Sequence, residues 1–283
     1  MRSHPWLLVS LTVLAACGDE GDGTGGGGGA GGGASVSTSS GSQASSTSST
    51  SDASSSESAS STASSSSSGM TGGGGEGGGP PIDGYGALSG TCGEVDEADI
   101  VDDLPQLLDN AIDFSARPAF DVMLLSPGGQ EIYADGNLGG SSLYSEIFAY
   151  EVLYRCEGAA LLKTEGEIVY QTMGKKTDIL LEIDGQRVGV SVVRAMSFPE
   201  GAPYPVMQAY GVLEGKLADI LESSANVAPQ DAWPKQILAV VAQTQDHADA
   251  IETAYAMVDP ATRADTIVYV TVTDGDDGFI YYE

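Results

Sequence analysis

Residues 18 to 81 hold almost nothing that a core could use. The tract is nearly all Gly, Ser, Thr and Ala, with scattered acids and no Lys or Arg. Fixing each residue costs roughly 1–2 kcal/mol of chain entropy, and too few apolar side chains are present to offset it. The tract therefore predicts a disordered stalk, with a root-mean-square span of roughly 40–50 Å for a Gly/Ser coil of this length. Folding is left to residues 82 to 283, a length suited to one domain with its own core.

Ahead of the stalk, MRSHPWLLVSLTVLAAC reads as an export signal. Arg2 supplies a positive start, Trp6 to Leu14 form an apolar run too short for a permanent span, and small residues lead to Cys17. Leu14-Ala15-Ala16-Cys17 resembles the bacterial lipobox. The resemblance implies removal of residues 1–16 and acylation of Cys17, with residues 17–81 as a lipidated stalk. It also implies a lipid-anchored place in the bacterial cell envelope. Gly18, where an aspartate would signal inner-membrane retention, favours the outer membrane. Each buried methylene of such an anchor contributes about 0.8 kcal/mol. With Cys17 lipidated, Cys92 and Cys156 remain. In an exported chain an even pair reads as a disulfide, with two buried thiols as the alternative.

Residues 82–283 carry 34 Asp or Glu against 10 Lys or Arg. Nucleic-acid affinity comes largely from phosphate neutralisation, so this balance disfavours a nucleic-acid partner.

Along the folded part, DEADIVDDLPQLLDNAID (96–113) has helical spacing with a break at Pro105. AFDVMLLSPGGQEIYADG (119–136) reads as two strands about a Ser126-Pro127-Gly128-Gly129 turn. GNLGGSS (136–142) is a loop that leads into a helix, with Leu143, Ile147, Tyr150 and Tyr154 on one stripe. Strands are expected at 167–172, 178–184 and 187–193, the last two joined by the tight turn Asp184-Gly185. A helix at about 206–223, a strand at 235–243 and a helix over DHADAIETAYAMV follow. TIVYVTVT and FIYYE are then expected as strands about DGDDG. This alternation predicts an α/β domain with a central mixed β-sheet flanked by helices.

The order helix, three strands, helix, strand over residues 141–243 resembles the core of the PD-(D/E)XK nuclease-like proteins. The pieces KKTD, VGVSVVRAM, KQIL and TIVYVT are also similar to segments of protist and bacterial proteins associated with that fold. The resemblance makes 82–140 an N-terminal extension and 141–283 the nuclease-like core. In active members, a helix glutamate, a strand-leading aspartate and the acid of an acid-x-lysine triplet hold one or two divalent ions. Carried over by position, Asp178 takes the aspartate place, and Glu146, with Glu151 as the alternative, takes the helix glutamate. Ser191 stands where the second acid belongs and Val193 where lysine belongs. Alternation along the strand sends Arg194 to the opposite face from Ser191 and Val193, so Arg194 does not replace the lysine. The chemistry of the family therefore arrives incomplete.

Other motifs are bland. Asp274, Asp276 and Asp277 in DGDDG form a weak calcium candidate, against the reading of a polar turn. His247 is expected at a solvated helix start, and YPVMQAY (204–210) as a partner-binding edge or as core filling. No catalytic residue is assigned beyond the candidates Asp178 and Glu146, which are also the candidate metal ligands, for Mg, Mn or Ca. The function expected from the sequence is a membrane-anchored, non-catalytic binding module whose partner is an envelope protein or surface ligand. The alternative is an exported metal-dependent phosphodiesterase or nuclease using Asp178, Glu146 and a displaced third ligand.

Overall fold

The computed structural model describes residues 81–82, 85–114 and 120–282. The expected signal, the lipidation site Cys17 and the stalk as far as residue 80 lie outside the described residues; Pro81, the expected last residue of the stalk, pairs with Ala87 in a strand instead. The elements are β1 (Pro81–Ile82), β2 (Gly86–Gly90), α1 (Glu97–Val101), β3 (Gln106–Asp113), a 3-10 turn (Val122–Leu124), α2 (Pro127–Asp135), α3 (Leu143–Cys156), β4 (Ala160–Thr164), β5 (Ile179–Ile183), β6 (Gln186–Ala195), α4 (Val206–Asn226), β7 (Lys235–Ala242), α5 (Gln245–Tyr255), α6 (Pro260–Arg263), β8 (Ile267–Asp274) and α7 (Gly278–Tyr282).

The strands form one mixed sheet in the order β1-β2-β3-β8-β7-β6-β5-β4. β3, β8, β7 and β6 run parallel, and antiparallel pairs extend the sheet on both sides. Strand β7 lies at the centre and is buried at every position, as a strand covered on both faces must be. Its Ile237, Ala239 and Val241 pack beneath α3 and α7, while Leu238, Val240 and Ala242 pack beneath α4 and α5. The α/β class with a helix-flanked mixed sheet is therefore the observed one. Asp184 and Gly185 join β5 to β6 with φ of 48° and 79°, the positive values that a two-residue hairpin turn requires.

Four local expectations fail, each for a physical reason. Residues 106–113 form a strand rather than the end of a helix. α1 stops at Val101, and β3 gains a full parallel ladder with β8, with Leu108 and Ile112 on one face and Leu107 and Ala111 on the other. The expected hairpin around Ser126-Pro127-Gly128-Gly129 is a helix start. Ser126 caps α2 by accepting from the Gly129 N–H, and Pro127 sits in the first turn, where its missing N–H costs nothing. The expected strand at 167–172 is a loop with a single bridge, Tyr170 to Val227, and the strand of this region is β4. FIYYE is not a strand either: Phe279, Ile280 and Tyr281 are buried on one turn of α7, against the aromatic cluster of Phe114, Tyr144 and Phe148.

The N-terminal extension is part of the same core. Cys92 and Cys156 form a disulfide. Beside it, buried Glu157 accepts from the Gly93 and Val95 N–H groups and from the Tyr269 hydroxyl at 2.6 Å. At the other end, the fully buried Lys235 ammonium donates to the Asp102 carboxylate and to the Asp102 and Leu104 carbonyls.

Candidate functional site

The register of β5 with β6 ends at the pair Ile179–Val190, so Ser191 to Ala195 have no β5 partner. A notch opens there at the side of β6. The first N–H past the ladder on that side, Val192, donates to Asp178 Oδ2 at 2.6 Å, while the Asp178 N–H continues the ladder to the Val190 carbonyl. Asp178 thus stands at the head of β5, where the chain enters the sheet.

The opposite wall comes from the start of α3. Glu146 lies in its first turn and is 4% exposed. Its Oε1 accepts from Asn137 Nδ2 and from Ser142 Oγ, both at 2.8 Å. Lys216 of α4 and Arg194 of β6 complete a cleft of about 370 Å³ that also includes Ser145, Val192 and Met196. Arg194 is committed elsewhere, donating to the Ile280 carbonyl and to Ser141 Oγ.

The electrostatics follow from this enclosure. Burial first and the neighbouring Glu146 charge second push the Asp178 carboxyl up to about 7, against the pull of the Val192 N–H and Lys216. Glu146 is raised as well, first by burial, against its bonds from Asn137 and Ser142 and the field of Lys216. The charge of Glu165 adds to both shifts. Two carboxylates that each destabilise the other's ionised form share one opening, with an ammonium across from them.

The structure brings together Asp178 and Glu146, the two site residues singled out from sequence. Val193 lines the same cleft but is apolar, and Ser191 is buried outside its lining, so neither adds a ligand. Glu151, the alternative helix acid, is wholly buried away from the cleft and accepts from the Ser126 N–H and hydroxyl. Among the described residues no group of three or more His, Cys, Asp or Glu side chains could hold a metal ion, Asp274, Asp276 and Asp277 included. Asp277 instead pairs with Thr273 at the end of β8. The three-acid set of an active nuclease does not fit this cleft. Two hard carboxylate oxygens do suit a hydrated magnesium or manganese ion, which takes one or two carboxylates and fills its remaining positions with water and a ligand's phosphate.

Sequence reading missed Lys216, Asn137, Ser142 and Glu165. Lys216 carried a signal, being the sole basic residue in the 21-residue α4, directly beside the buried position Leu217. His247 was also misplaced. It is 7% exposed, with Nε2 3.0 Å from Ser197 Oγ, Nδ1 2.6 Å from Thr244 Oγ1, and its ring against Tyr204. Burial lowers its pKa, opposed by Asp246.

The chain is similar to a Dictyostelium discoideum protein described as "AAC-rich mRNA clone AAC4 protein", at 38% identity over 186 residues. The match covers 64% of this chain and 25% of that relative, so the chain spans about a quarter of the protein it matches. No family model and no solved structure matches. The relative corrects the location expected from the N-terminus. It is a eukaryotic protein, whereas lipobox processing and an outer membrane are bacterial, so the bacterial lipoprotein, cell-envelope and outer-membrane assignments do not stand. No described helix is long and apolar enough to cross a membrane.

Proposed function

We propose that this domain is a non-catalytic binding module on a nuclease-like core, whose cleft takes a small phosphate-bearing ligand together with a divalent cation. The observation that carries the reading is the juxtaposition of Asp178 and Glu146 with Lys216 in one cleft. A divalent ion would relieve the mutual repulsion of the carboxylates, and Lys216 supplies a point charge for an anionic group. The sequence α3, β4, β5, β6, α4, β7 has the helix, three strands, helix, strand order of the nuclease-like proteins, which supports the core assignment. The surface remains strongly acidic, which favours a compact ligand over a nucleic-acid polyanion.

When bound, the cation would neutralise the acid pair and polarise a phosphate oxygen. The chain's own groups hold and orient: Asp178 and Glu146 on one side, Lys216 on the other, with the Val192 N–H fixing the Asp178 rotamer. The deciding experiment is calorimetric titration of the protein with magnesium and manganese, with and without inorganic phosphate. Asp178→Asn should abolish cation binding, and Lys216→Met should remove only the enhancement by phosphate. No binding of either cation by the parent would sink the reading.

A second reading, phosphodiester hydrolysis, is favoured by one observation: Lys216 stands in the cleft although the strand position of the lysine holds Val193. Magnesium-dependent cleavage of single- or double-stranded DNA or RNA by the parent, lost in both Asp178→Asn and Lys216→Met, would establish it in place of the first.

A further inference from the structure

The loop between α2 and α3, residues 136–142, forms part of the cleft wall through Gly139 and Ser142. Its backbone path relies on glycine. Gly136 and Gly140 have φ of 70° and 84°, and a Cβ on either would meet nothing within 4 Å. Leu138, at its tip, is 66% exposed, so apolar packing does not hold it in place.

Polar bonds hold it instead, and three of them end on acids at or beside the site. Asn137 Nδ2 donates to Glu146 Oε1 at 2.8 Å and to Ser142 Oγ at 2.7 Å. Ser142 Oγ donates to the same Glu146 oxygen, so Oε1 accepts two donors from the loop and its hinge. The Leu138 N–H donates to Glu165 Oε2 at 2.9 Å. The Gly140 N–H closes the turn on Asn137 Oδ1 at 3.1 Å. Asn137 therefore links the internal bond of the loop to a carboxylate of the cleft.

A cation that takes Glu146 Oε1 displaces donors already there, the Asn137 amide and the Ser142 hydroxyl. An N–H that has lost its carboxylate must find water, and the loop is exposed enough to offer it.

We propose that Asn137 is an autoinhibitory latch, which holds Glu146 and the 136–142 loop closed until a cation takes the Glu146 carboxylate and releases the loop. The inference rests on the cation-binding reading above. It adds a sign that a merely structural asparagine would not produce: removing Asn137 should improve binding. Loss of a packing or orienting residue would weaken it.

The test uses the full chain, with magnesium as the probe, in two measurements. Calorimetry on Asn137→Ala should give magnesium binding about five- to tenfold tighter than the parent, the order expected for removing one competing charge-assisted bond. Amide hydrogen exchange should show residues 136–142 of the parent exchanging several-fold faster with saturating magnesium. In Asn137→Ala they should exchange fast with or without it. Glu165→Ala frees the Leu138 N–H and removes a neighbouring negative charge while leaving the Asn137–Glu146 bond intact, so it controls for a general loosening of the loop and should not tighten magnesium binding. Magnesium that binds the parent but leaves exchange in 136–142 unaltered, or that binds Asn137→Ala no more tightly, overturns the latch while the binding reading stands. No magnesium binding to the parent overturns both.

Discussion

Asp178 concentrates the cost of the site in one side chain. Its carboxyl sits at about 7 in the folded protein, against an ordinary value of 3.8. A raised acid makes the folded state hold its proton longer than the unfolded chain does. The stability tied to this proton is complete below about pH 4 and is lost progressively as pH rises to about 7, beyond which the penalty is constant. Asp178→Asn should therefore stabilise the protein by roughly 2–4 kcal/mol at pH 8 and by little at pH 4, measured by urea unfolding at both. Equal gains at the two pH values would mean that the carboxylate is solvated as in water. Gly128 and Gly129 pose the opposite problem. A Cβ on Gly128 would lie 2.2 Å from the Tyr150 hydroxyl, and one on Gly129 would lie 2.2 Å from Glu151 Oε1. Both neighbours are buried, so Gly128→Ala should cost about 2–3 kcal/mol, read as a lower urea midpoint. These glycines looked like turn residues in the sequence; close approach by side chains of α3, some 20 residues on, is the actual demand.

At the scale of elements, the clip between the N-terminal segment and the end of α3 is the feature most open to test. It combines the Cys92–Cys156 disulfide, 64 residues apart, with Glu157 and its three donors. A cross-link over a loop of that size stabilises by up to about 4 kcal/mol through the unfolded chain. Glu157→Ala leaves Gly93, Val95 and Tyr269 donors facing a low-dielectric gap and should cost about 2–4 kcal/mol. The two effects share one strap, so Glu157→Ala combined with Cys92→Ser and Cys156→Ser should destabilise by less than the sum. Additive losses in thermal unfolding would show the clip to be two independent contacts. Elements with strong local signals were legible: α3, α4, α5, β5, β6, β7 and β8 fall where periodicity and turn chemistry put them. β3 and α7 were not. The apolar spacing of 106–113 suits helix or strand alike, and an empty place beside β8 decided the matter. FIYYE has strand composition, but its buried face meets α3 rather than a sheet edge.

The whole molecule carries an acidic excess that its fold has to tolerate. With 34 acids and 10 bases over residues 82–283, self-repulsion acts against the compact state and is screened by salt. Raising sodium chloride from about 20 mM to about 500 mM should raise the thermal midpoint by several degrees, since the Debye length falls from roughly 20 Å to a few ångströms. A midpoint insensitive to salt would mean that the acids are already spaced beyond each other's reach. Composition alone left the folding to residues 82–283, because burial and chain entropy are counted residue by residue. The α/β class was legible too, since alternating periods reflect which faces are covered. The cleft was half legible. Asp178 and Glu146 were reached through the resemblance to the nuclease-like core, but Lys216, Asn137 and Glu165 acquire a role through position. Lys216 lines the cleft from α4, Asn137 on a glycine loop reaches it through its bond to Glu146, and Glu165 beyond β4 acts on it through charge; the cleft itself opens at the notch left where β5 stops pairing with β6. No local pattern encodes that meeting, because it depends on how long one strand runs past another.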